Sequence, residues 1–128
     1  MSIYACFRYR DCPAAIDFLC DAFGFERVVV YEEDGVVHHA ELRLGDSMVM
    51  LGSERDDDDQ PKRAGLGWTY VGGISDSDAL FERAKAAGAE VVRAPFDTDY
   101  GSRDFSVRDP EGNVWNFGTY DPVTAAGA

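Results

Sequence analysis

Arg10-Asp11-Cys12-Pro13-Ala14-Ala15-Ile16-Asp17-Phe18-Leu19, followed shortly by Phe23-Gly24-Phe25, is the stretch from which the rest of the chain can be read. Asp11 stands where a capping acid belongs, and Pro13 suits a first helical turn, whose amides have no partner inside the helix. Ala14, Ile16, Phe18, Leu19, Ala22 and Phe23 recur at helical spacing. Gly24 supplies the left-handed residue that closes many helices, so a helix is expected from about Pro13 to Phe23. Working outward, the aromatic and small residues over 4–9 suit a strand before the helix. After it, 25–33 reads as a strand, Asp34-Gly35 as a hairpin turn, 36–44 as a second strand, Gly45-Asp46 as another tight turn and 47–52 as a third strand. The order is β-α-β-β-β.

The second half repeats that order. A strand over 68–74 precedes a helix opened by Ser75 or Asp76, striped by Leu80, Phe81, Ala84 and Ala87, and closed by Gly88. Strands are expected over 90–94, 103–108 and 113–120, with a loop over 95–102 and an Asp109-Pro110-Glu111-Gly112 turn. Repetition at about 65 residues indicates two like modules in one domain, whereas a solenoid needs three or more shorter repeats. The domain spans 1–122: module one is 1–53, a linker is 54–66, and module two is 67–122. The linker holds four consecutive aspartates, Asp56 to Asp59, which read as a solvated run or as an attraction for a cationic ligand. The tail over 123–128 is expected to fray.

Composition excludes several function classes. The 24 acidic and 12 basic residues among 128 give a formal net charge of -12, the wrong sign for neutralising nucleic-acid phosphates or an anionic membrane. No apolar run is long enough to span a bilayer, and the first residues lack the basic and apolar regions of a secretion signal, so a cytoplasmic protein is expected. The cysteines at 6, 12 and 20 show no CxxC spacing and read as reduced thiols. Neither a glycine-rich phosphate loop nor a GxSxG nucleophile turn is present.

The duplicated module, the opening 10–19 stretch with Phe23-Gly24-Phe25, and the closing Asp109-Pro110-Glu111-Gly112-Asn113 together resemble the vicinal oxygen chelate superfamily. That superfamily includes glyoxalase I, extradiol dioxygenases, fosfomycin resistance enzymes and bleomycin resistance proteins. The resemblance covers nearly the whole chain, from about Ile3 to Tyr120. It implies an α+β fold in which two βαβββ modules form a curved mixed sheet around a cleft, with a helix covering each outer face. It also implies a homodimer, because the bleomycin-resistance-like members usually pair. Metal-dependent members place His, Glu or Gln ligands at four strand positions, which fall here on Tyr4, Met50, Thr69 and Asn116. Phenol, thioether, hydroxyl and amide make a poor cage for a divalent ion, so no metal or other cofactor is expected.

Side-chain alternation extends those positions into a face. Tyr4, Cys6 and Arg8 share it on the first strand. A two-residue Gly45-Asp46 turn sets Leu44 against Ser47, Arg43 against Met48 and Glu41 against Met50, so His39, Glu41 and Arg43 line the same face. In the second module a four-residue turn would pair Val107 with Val114 and Phe105 with Asn116. Phe105, Asn116 and Arg103 would then join Thr69 and Val71, while Ser106, Trp115 and Phe117 pack beneath the helix. Tyr100, on the loop leading to Arg103, reads as a rim residue or as part of a plain connection.

An apolar floor with a few convergent polar groups suits a small organic molecule. The expected function is therefore metal-independent binding, in the manner of the bleomycin-resistance-like branch, that sequesters a drug or aromatic metabolite. The alternative is a lyase, isomerase or dioxygenase of the same superfamily using His39 and Glu41 as displaced metal ligands or an acid-base pair; no catalytic residue is assigned. Arg8, Arg43 and Arg103 put positive charge on the face, which argues against bleomycin itself. His39 with Glu41, and Glu41 with either arginine, also read as ion pairs that only satisfy charge.

Overall fold

The two modules are separate compact units, Met1–Leu66 and Gly67–Ala128. The computed structural model describes residues 1–57 and 60–127, and the side chains of 1–56 and 63–127. In the first unit β1 (Ala5–Tyr9) leads into α1 (Cys12–Phe18), which continues as a π-helical turn over Leu19–Phe23. Next come β2 (Glu26–Glu33), β3 (Val36–Leu44) and β4 (Ser47–Ser53), in the sheet order β1-β4-β3-β2. β1 runs parallel to β4, and the other pairs are antiparallel.

The local chemistry follows the sequence closely here. Asp11 accepts the Ala14 amide at 3.2 Å, and Gly24 closes the helix at φ 84° with its amide on the Cys20 carbonyl at 3.1 Å. Asp34 and Gly35, at φ 53° and 80°, make the hairpin turn whose twist matches its strands. The helix buries Cys12, Ala15, Ile16, Phe18, Leu19, Ala22 and Phe23. The sheet buries Tyr9, Val37, Ala40, Leu42, Val49 and Leu51, leaving the alternate side chains on an open face. The expected plain linker instead contains a short hairpin, β5 (Arg55–Asp57) and β6 (Gln60–Lys62). Charge pairing explains it: Arg63 reaches Asp56, and Glu54 accepts the Ala64 amide at 2.9 Å. Asp58 and Asp59, part of the proposed acidic run, lie outside the described residues.

The second unit consists of β7 (Trp68–Val71), α2 (Ser77–Ala86), β8 (Glu90–Asp97), β9 (Arg103–Arg108), β10 (Val114–Phe117) and α3 (Pro122–Ala125). Its sheet order, β7-β10-β9-β8 with β7 parallel to β10, is that of the first unit. Asp76 caps α2 by accepting the Ala79 amide at 3.0 Å. Phe81, Ala84, Phe105, Val107, Trp115 and Phe117 form the core. β8 runs past its expected end at residue 94, through Pro95, because it is an edge strand with register irregularities where a missing N–H is tolerated. In the tail, Asp121 accepts the Val123 amide at 3.0 Å and starts α3 where fraying was expected.

The turn before β10 departs most from expectation. Arg108 pairs with Val114, so five residues rather than four connect the strands. Asp109 is 5% exposed and its Oδ1 accepts the Glu111 and Asn113 amides at 3.0 and 3.1 Å, while its own amide donates to the Asn113 carbonyl at 3.0 Å. Its Oδ2 accepts the Trp115 indole N–H at 3.1 Å and an Asn113 Nδ2 hydrogen at 3.1 Å. A one-residue change in a connection flips one of the two strands it joins relative to the other; here β10 keeps its expected faces and β9 takes the opposite ones.

Candidate functional site

On the first unit's open face the register matches the turn-based reading: Arg43 lies opposite Met48, Glu41 opposite Met50, and Leu44 opposite Ser47. Parallel pairing sets Cys6 beside Met50 and Arg8 beside Gly52, while Tyr31 of β2 lies opposite His39. Two pockets open there and share Met50. One, of about 230 Å³, is lined by Tyr4, Glu41, Met48 and Met50. The other, of about 140 Å³, is lined by Cys6, Phe7, Arg8, His39, Met50 and Leu51.

His39 and Glu41, two apart on β3, meet at 2.9 Å between Nε2 and Oε2. An ionised carboxylate only accepts, so Nε2 carries the proton and donates. His38 points elsewhere: its Nδ1 lies 3.2 Å from Arg55 Nη1, so the two histidines do not converge. Arg43 is exposed at the rim. Arg8 is half-buried, and its Nη1 is fully covered without a hydrogen-bond partner. A side chain at position 52 would collide with that guanidinium, so Gly52 makes the room in which Arg8 lies.

The longer turn reverses the expected faces of β9, and the parallel register of β7 on β10 reverses those of Thr69 and Val71. Phe105 pairs with Phe117, not Asn116, and is wholly buried, with ring centroids 5.4 Å from Phe81 and 5.1 Å from Phe117. Thr69 and Val71 pair with Trp115 and Phe117 and so take the helix side. Arg103, two residues before Phe105, also lies on that side, where it meets Asp78 of α2 at 3.2 Å and Asp97 at 3.3 Å. These placements correct the assignment of Phe105, Thr69, Val71 and Arg103 to the open face.

Asn116 does occupy the open face, opposite Ser106 rather than Phe105. Its amide is committed, accepting from Ser106 Oγ at 2.5 Å and donating to the Thr69 carbonyl at 3.1 Å. Ser106 and Tyr70 are the residues that the sequence reading put elsewhere or passed over. Tyr70 pairs with Asn116 and donates its hydroxyl to the Tyr120 carbonyl at 3.0 Å; burial pushes its phenol up. The signal that would have found Ser106 is Asn113, whose side chain and backbone close the turn on Asp109, whereas the face of Tyr70 follows from its parallel pairing with Asn116. Tyr100 is exposed and packs edge-on to Tyr120 at 5.3 Å, beside a pocket of about 390 Å³ lined also by Arg93, Phe96, Asp99 and Asp104.

At the four positions where the resemblance implies metal ligands, the side chains are poor donors for a divalent ion. Tyr4 and Met50 offer phenol and thioether, Thr69 lies on the helix side, and both ends of the Asn116 amide are bonded. Among the described residues, no three His, Cys, Asp or Glu side chains gather as a metal site, and no helix is long and apolar enough to cross a membrane.

Paired βαβββ units with one strand order and helix-covered sheets define the vicinal oxygen chelate class of α+β fold. The family model for the Glyoxalase/Bleomycin resistance protein/Dioxygenase superfamily matches residues 3–117, and the chain belongs to that superfamily. An uncharacterized Mycobacterium tuberculosis protein is 38% identical over 120 residues, a match covering 84% of this chain and 68% of that one. The crystal structure of TioX from Micromonospora sp. ML1 superposes with a TM-score of 0.77 at 31% identity, over 92% of this chain and 94% of TioX. A lactoylglutathione lyase from Agrobacterium tumefaciens shares the fold, with a TM-score of 0.70 at 24% identity over 92% of each chain.

Proposed function

We propose that the chain is a metal-independent small-molecule binding protein that holds a drug or aromatic metabolite on the open face of its first module, without making or breaking a bond. The observation that carries this reading is the pocket walled by Tyr4, Met48 and Met50 with Glu41 at its side. Aromatic and thioether groups supply adaptable apolar area there, and sparse polar groups orient what binds. The donor chemistry at the four ligand positions supports binding without a metal. The test is protein-observed NMR with millimolar 1-naphthamide, before and after chelation with EDTA. Shifts confined to the neighbourhood of Tyr4, Met48 and Met50 and unaffected by EDTA are expected; no shifts, or shifts abolished by EDTA, would overturn the proposal.

One observation favours a second reading: the His39–Glu41 hydrogen bond has the geometry of an acid-base pair. Stoichiometric bound metal, lost on His39→Ala and Glu41→Ala, would move the assignment to an enzyme. A homodimer is also proposed, supported by the edge strand β2, which exposes Val28, Val30 and Tyr31. Sedimentation equilibrium should give twice the 14.1 kDa chain mass, and a purely monomeric species at micromolar concentration would exclude it.

A further inference from the structure

Among the described residues of the first module, one guanidinium nitrogen is covered without a hydrogen-bond partner. Arg8 is half-buried, and its Nη1 is fully covered without a hydrogen-bond partner, although covered polar atoms are ordinarily paired. The chain carries 24 carboxylate side chains against 12 basic ones, so an arginine without an acid is conspicuous. The carboxylate on the same face, Glu41, is bonded to His39 instead. A Cβ at Gly52 would collide with Arg8 Nη1, so the bare backbone leaves the room that the guanidinium occupies beside the pocket that Arg8 lines. Met50 joins this pocket to the apolar one bounded by Tyr4 and Met48.

We infer that the ligand of this face is an aromatic anion of the carboxylate type, its ring against Tyr4, Met48 and Met50 and its anionic group received by Arg8. The inference rests on the small-molecule binding proposed above and names its ligand class. A planar guanidinium matches the two oxygens of a carboxylate, and a hydrogen bond between charged groups in a partly dehydrated site discriminates strongly against a neutral isostere. The overall negative charge slows the approach of any anion, so selection lies in the bound state and not in steering.

The test compares 1-naphthoate with its neutral isostere 1-naphthamide by protein-observed NMR titration on the full chain. The anion should bind at least about tenfold more tightly. Arg8→Met should abolish that preference. Gly52→Ala keeps the charge but occupies the guanidinium's place, and should reduce the preference as well. If neither compound binds at millimolar concentration, small-molecule binding on this face fails and the inference falls with it. If the amide binds and the anion binds no more tightly, or the preference survives in Arg8→Met, only the role of Arg8 is wrong. Should Arg8→Met fail to fold, the wild-type comparison and Gly52→Ala decide.

Discussion

Phe105→Ala separates the two registers that the turn at Asp109 allows. Phe105 has no exposed surface and sits between Phe81 and Phe117, with centroids 5.4 and 5.1 Å away. Removing a ring so enclosed costs its transfer free energy plus that of the cavity left behind, about 3–5 kcal/mol. For a chain of this length each kcal/mol lowers the melting temperature by about 4 °C, so a fall of about 10–20 °C is expected. Urea unfolding followed by tryptophan fluorescence suits the test, because Trp68 and Trp115 both lie in the second unit and Trp115 is wholly buried. Phe105→Leu, which retains most of the volume, should lose much less. A Phe105→Ala protein with an unchanged unfolding midpoint would place Phe105 on the open face. The five-residue turn, and every side assigned from it, would then be refuted.

Asp109→Ala strands the buried Trp115 indole and Asn113 amide hydrogens together, and should cost about 3 kcal/mol in the same urea assay. Iodoacetamide at pH 8 should label exposed Cys6 first and buried Cys12 only after unfolding. Cys20 should react more slowly than Cys6, because burial pushes its thiol up against the opposing pull of Arg27; peptide mass spectrometry gives the order. Burial, reinforced by Asp104, Tyr100 and Tyr120 and opposed by the Ser102 hydrogen bond, raises the Tyr70 phenol. The unfolded chain therefore releases that proton first, and Tyr70 costs stability as the pH rises above about 10. Urea midpoints across that range should show the wild-type advantage over Tyr70→Phe shrinking as pH rises; a constant difference would contradict the shift.

The two βαβββ modules, the helix caps at Asp11 and Gly24, and the open face of the first module are legible in the sequence, which left the second helix's cap between Ser75 and Asp76. Asp34-Gly35 and Gly45-Asp46 are two-residue turns with glycine at positive φ, and a turn that short permits one register. That register set His39, Glu41 and Arg43 on the side of Met50, while Tyr4 and Met50 were placed by the family resemblance and Arg8 by alternation from Tyr4. In the second module the faces of β10 were legible too, but those of β7 and β9 were fixed by packing. A longer connection permits more than one register, and the choice fell to burial of Trp115 with its indole N–H on Asp109, a contact six residues apart that no alternation rule contains. The covered, unpartnered Nη1 of Arg8 was likewise settled in three dimensions. Glu41 had two arginines and a histidine within reach of its strand, and it was the geometry of β3 that gave it to His39.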